Sequence, residues 1–180
     1  MKLVVVELSL FGALGAACKF EQVPLGMYVG LDEGASSLIG LGVVSESYIK
    51  MNVLDAEVGS QPVYTGSPLI KYSFDKESCT LKVGPEKIQS SRFEWIRFIG
   101  EGKPYRELSI EGAMTFDGTF TLADDETLIS HISDFPLKRH EVVDWKAELG
   151  QFKHLNLADR DVEKIESLMN DITEKYPLVV

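Results

Sequence analysis

At 180 residues, with 44% hydrophobic and 26% charged side chains, the chain has ordinary globular composition and is long enough to bury one sizeable core. Its 7 Pro and 15 Gly exclude a fibrous repeat or a low-complexity disordered chain. With 18 basic against 28 acidic residues the net charge is −10, which argues against nucleic acid as a partner because phosphate-backbone binders concentrate Lys and Arg.

The opening stretch, MKLVVVELSLFGALGAACKF, has two interpretations. Val4, Val6, Leu8 and Leu10 alternate with Val5, Glu7 and Ser9, the period-two pattern of a strand, and a cytoplasmic protein follows from that choice. Alternatively, Lys2, an apolar stretch and Leu14-Gly15-Ala16-Ala17 before Cys18 resemble the signal and lipobox of a bacterial lipoprotein. The resemblance implies an envelope protein anchored to membrane lipid through Cys18. Glu7 interrupts the apolar stretch, and Gly15 stands where the motif has Leu, so the strand is the better fit. A transmembrane span is excluded, since the run is shorter than the ~20 apolar residues required.

From Met27 to Ala56 three apolar runs (MYVGL, SLIGLGVV, SYIKMNVL) are separated by polar turns and predict a meander of strands. Val58 to Pro68, rich in Gly, Ser and Pro, reads as a long connecting loop. Leu69–Phe74 and Thr80–Val83 flank the polar turn Asp75–Ser78 and predict a hairpin ended by Gly84-Pro85. Arg92–Gly100 has apolar groups on both faces, as a central strand would, and should neighbour a strand over 105–115.

Leu108–Leu122 (LSIEGAMTFDGTFTL) gives the strongest hairpin signal. A three-residue loop, Phe116-Asp117-Gly118, with Gly118 in the left-handed region, would place Leu108, Ile110, Met114, Phe120 and Leu122 on a core face. Thr127–Ile132 adds a short strand. After Phe135-Pro136 the period changes to three and four: Val142, Trp145, Leu149 and Phe152 predict a short helix, and Val162, Ile165, Leu168, Met169, Ile172 and Tyr176 a longer amphipathic one over 157–175. The fold class expected is therefore α+β: a single domain over 1–180, mainly antiparallel meander and hairpins through 134, with a helical part from 135 whose C-terminal helix covers one sheet face.

Two cysteines, Cys18 and Cys79, have no metal-ligand spacing. They read as two reduced thiols, with a single bridge as the alternative in an exported protein. His131, His140 and His154 lack metal-pair spacing, no serine lies in a nucleophile elbow, and Gly12-Ala13-Leu14-Gly15 lacks the rest of a phosphate loop. No cofactor or metal is implied.

What stands out instead is charge: between Glu107 and Leu137 there are seven acids (Glu107, Glu111, Asp117, Asp124, Asp125, Glu126 and Asp134) and no Lys or Arg. This segment predicts a docking face for a basic protein, the task of toxin-neutralising immunity proteins and protein inhibitors. An envelope lipoprotein with a structural or carrier role is the rival, and an enzyme with dispersed residues the third candidate.

Overall fold

The computed structural model describes residues 18–32, 36–56, 61–99, 103, 105–132, 135–151 and 159–175. Among these, the alternating segments form eleven strands: β1 (Gly26–Asp32), β2 (Ser37–Val43), β3 (Tyr48–Asp55), β4 (Val63–Gly66), β5 (Ile70–Asp75), β6 (Thr80–Gln89), β7 (Glu94–Arg97), β8 (Arg106–Glu107), β9 (Ala113–Leu122), β10 (Leu128–Ser130) and β11 (Pro136–His140). Two helices follow, α1 (Trp145–Leu149) and α2 (Asp159–Lys175). The expected strand over residues 1–10 and the lipobox residues before Cys18 lie outside the described residues.

Every pairing is antiparallel, and the order β2-β1-β11-β10-β9-β6-β5-β3 is closed by a further β2–β3 pairing into an eight-stranded barrel. Followed along the chain it is an up-and-down meander that returns to its start, the arrangement that leaves no sheet edge within the ring. At the seam, Met27, Tyr28 and Val29 pair with His140, Arg139 and Lys138, and a Cβ at Gly30 would collide with the Pro136 carbonyl oxygen. The α+β class is thus corrected: the molecule is a closed antiparallel barrel, and its helices lie outside the wall. β11 also carries the barrel past residue 134, where strands were expected to end.

One excursion leaves the ring. β3 pairs with β5 only through Tyr48 and Ile49, while Asn52–Asp55 pair with β4, which continues through β7 to β8 as a small flap. β4 therefore occupies part of the expected 58–68 loop, and Glu94–Arg97 of the expected 92–100 strand run in the flap rather than the centre of the main sheet. Its expected neighbour is found only in part, as Ile96 opposite Glu107 and Arg97 opposite Arg106.

The hairpin at Phe116-Asp117-Gly118 does not form. β9 runs straight through these residues, and Gly118 pairs with Val83 of β6. The irregularity lies in the partner strand, between Val83 and Glu86, where Gly84 takes a φ of 78°. Gly84-Pro85 thus kinks a long strand instead of ending it. Thr80–Gln89 and Ala113–Leu122 share eight paired positions in this arrangement, more than a tight hairpin within β9 could supply.

Near-continuous hydrophobic runs in β1–β3 follow from burial on both faces. Tyr28, Leu41 and Ile49 point into the barrel with Leu81, Val83, Phe120, Leu122, Leu128 and Leu137, all 9% exposed or less. Met27, Val29, Leu38 and Leu54 point outward and pack with Trp145, Leu149, Ile165, Leu168 and Met169 of the two helices. Asp144 caps α1 by accepting the Ala147 N–H at 3.0 Å, and Gly40 leaves room on the wall for the Trp145 ring.

Candidate functional site

One end of the barrel gathers the turns that precede β6 and β10. Thr80 pairs with Thr121, and the Leu122 N–H donates to the Cys79 carbonyl at 2.8 Å, so the turns at 75–78 and 123–127 stand side by side. The N-terminal segment closes this end: Val23 is fully buried in the barrel core, Phe20 and Leu25 pack against it, and the Tyr28 hydroxyl donates to the Pro24 carbonyl at 2.9 Å. Cys18 and Cys79 are joined by a disulfide across 61 residues of sequence, Cα to Cα 5.1 Å. The expectation of two reduced thiols is corrected, because strand pairing carries Cys79 to the end that the N-terminal segment covers. A lipid thioether at Cys18 and this bridge exclude each other, since both need the same sulfur.

The two turns are built alike. Asp75 accepts from the Ser78 hydroxyl at 2.7 Å and the Glu77 N–H at 3.0 Å, and these bonds hold its carboxyl below the ordinary range. Asp125 is lowered in the same way, by the Thr127 hydroxyl and by the Thr127 N–H at 3.1 Å. Both therefore present fixed negative charge. Neighbouring carboxylates are already in ion pairs: Glu126 with Arg139 and Glu21 with Lys76, each at 2.5 Å. The Lys76 ammonium depresses the Glu21 carboxyl. The Lys19 ammonium donates to the Asp124 main-chain carbonyl, leaving the Asp124 carboxylate exposed. Asp75, Glu77, Asp124 and Asp125 are exposed and make no ion pair among the described residues.

The acidic segment does not form one face. Asp124, Asp125 and Glu126 meet at this end, but Glu111 lies before the opposite end of β9, a strand whose ten residues rise about 33 Å. Asp117 is exposed in mid-strand beside the β6 irregularity, and Glu107 is on β8 at the outer edge of the flap. Asp134 lies outside the described residues. Asp75 and Glu77 were missed because they stand some fifty positions upstream. The signal that could have found them is the pairing of Thr80–Val83 with Gly118–Thr121, which makes the two turns neighbours.

A second feature is a hollow of about 660 Å³ outside the barrel, between the β1–β11 seam and the end of α1. Val29 and Leu31 line its apolar floor, Lys138 and His140 its wall, and Glu148 and Gln151 its rim. His131 is elsewhere, on the surface, its Nε2 2.7 Å from the Thr121 hydroxyl. Among the described residues no three His, Cys, Asp or Glu side chains are grouped to hold a metal, and no helix is long and apolar enough to cross a membrane. Compared with known families, curated proteins and solved structures, the chain matches none.

Proposed function

We propose that the chain is a non-catalytic binding protein, immunity- or inhibitor-like, that holds a basic protein partner at the acidic end of its barrel. The observation that carries this reading is the adjacency of two rigid turns offering Asp75, Glu77, Asp124 and Asp125 without ion-pair partners among the described residues. Hydrogen bonds within each turn fix Asp75 and Asp125 before any partner arrives, which lowers the ordering cost of association. Charges of this kind act over about a Debye length, ~8 Å at physiological salt, so they accelerate encounter more than they slow release.

Affinity capture from the native source tests the reading, with the wild type and a quadruple variant (Asp75→Asn, Glu77→Gln, Asp124→Asn, Asp125→Asn) immobilised in parallel. A cationic protein retained by the wild type, absent from the variant and released by moderate salt is the expected result. Retention by the variant, or a partner whose binding ignores salt, would overturn it. A variant neutralised at Glu107, Glu111 and Asp117 is the internal control, and it should capture as the wild type does.

A further inference from the structure

We infer that the hollow beside α1 is a binding site for a small organic anion, one that pairs a carboxylate with an apolar body. Its volume, about 660 Å³, falls in the range of small-molecule sites. The strand register dictates what faces it. Lys138 stands opposite Val29 and His140 opposite Met27, and Met27 and Val29 are outward residues packed in the helix-covered cluster. Two positively ionisable side chains therefore project from one face of β11, two residues and so about 7 Å apart, beside an apolar floor of Val29 and Leu31.

Open hydrogen-bonding groups decide the ligand's chemistry. Two acids also line the hollow and keep their charge, but both already have partners: Glu148 accepts the Gln151 side-chain amide at 2.5 Å, and Asp32 has a partner of its own. Neither Lys138 nor His140 makes a side-chain hydrogen bond or ion pair to a described residue, although the Lys138 charge is felt at Asp125. The open hydrogen-bonding capacity of the wall is that of donors, which is what a carboxylate needs, and the floor favours an apolar remainder. This site is on the flank of the barrel and is independent of the partner proposed for its acidic end.

Titration calorimetry with three probes tests the assignment: 2-naphthoate, its neutral analogue 2-naphthylmethanol, and inorganic phosphate. One saturable site for 2-naphthoate is expected, with the alcohol at least tenfold weaker and phosphate weaker still. Lys138→Met and His140→Gln should each weaken naphthoate several-fold, and Gln151→Trp, which fills the rim, should abolish it while thermal melting stays close to wild type. Should Gln151→Trp fail to fold, the two surface substitutions on β11 still decide. Equal affinity for acid and alcohol, unchanged binding in the Lys138→Met, His140→Gln double variant, or no binding of naphthoate at millimolar concentration would each overturn the inference.

Discussion

The two sides of the β1–β3 wall are held by different physics. Inside, the cluster around Leu41, Ile49, Leu81, Val83 and Leu128 is apolar, and its two tyrosines direct their hydroxyls to main-chain carbonyls, Tyr28 to Pro24 at 2.9 Å and Tyr72 to Ser45 at 3.0 Å. Outside, the helix-covered cluster buries polar groups between wall and α2. Lys50, 8% exposed, pairs with Asp171 at 3.0 Å, and Asn52, fully buried, donates to the Leu168 and Met169 carbonyls and accepts the Tyr64 hydroxyl at 3.1 Å. The Trp145 indole N–H donates to Asn170 at 2.6 Å. A barrel closed by strand pairing needs only apolar filling, whereas a helix laid on a smooth wall could slide by a turn, and directional bonds at Lys50, Asn52 and Tyr64 fix its register.

If that contrast is right, the inner core carries global stability and the outer one local order. Leu81→Ala empties a fully buried site within the ring and should cost about 3–5 kcal/mol in urea titration, with the far-UV and near-UV signals disappearing in one transition. Unfolding of α2 alone, with the barrel intact, would reverse the assignment. Next in size is the bridge at the barrel end. Joining residues 61 apart restricts the unfolded chain by roughly 4 kcal/mol in the entropy picture, so Cys79→Ser or full reduction should lower stability by about 2–4 kcal/mol. Intact mass of the native protein offers a separate check: two hydrogens fewer than the reduced chain supports the bridge, and an added diacylglyceryl mass at Cys18 excludes it.

The outer core should respond on a smaller scale and in one place. Asn52→Leu keeps the branched shape but removes the nearer of the two acceptors of the Tyr64 hydroxyl, leaving it the Leu168 carbonyl at 3.4 Å, and removes the bonds to the Leu168 and Met169 carbonyls, at a cost of about 1–3 kcal/mol. Hydrogen exchange should localise the damage, with α2 amides exchanging faster while β6 and β9 keep their protection. Uniform acceleration across β9 would mean that helix and barrel form a single cooperative unit.

Legibility in the sequence followed the range of the interactions. The three-strand meander, the Asp75–Ser78 turn and the two helices were visible because period and capping are local signals. Ring closure was not, since nothing in Met27–Val29 states that its second partner is Lys138–His140. The Asp117-Gly118 pair misled for the same reason: as a dipeptide it favours a turn, yet pairing of β9 with both β6 and β10 outweighs that preference. Half of the acidic end was readable as Asp124-Asp125, and the other half depended on a β6–β9 register that composition does not encode.

The smallest effect at neutral pH is also the one that separates the two cores by titration. Burial raises the hydroxyls of Tyr28, Tyr64 and Tyr72, and Tyr72 is the first of the three to titrate, at about 12. In the unfolded chain a tyrosine loses its proton near pH ~10. Above that value the native state binds the extra proton, so the stability contributed by Tyr72 is complete below pH ~10 and is lost as pH rises toward 12. Tyr72→Phe removes one bond to the Ser45 carbonyl and should cost only about 1 kcal/mol at pH 7. It should also flatten the fall of stability between pH ~10 and 12 by up to about 1.4 kcal/mol per pH unit, one proton's worth. Tyr64→Phe should flatten that interval similarly, because its hydroxyl too stays protonated there, so the separation comes from the native state itself. Followed by tyrosinate absorbance, Tyr72→Phe should remove an ionisation step near pH 12, whereas Tyr64→Phe should leave that step in place, its hydroxyl titrating beyond Tyr72. A Tyr64 step at or below that of Tyr72 would show that α2 lifts away from the wall before the inner core ionises, and the outer core would then be the weaker of the two at alkaline pH.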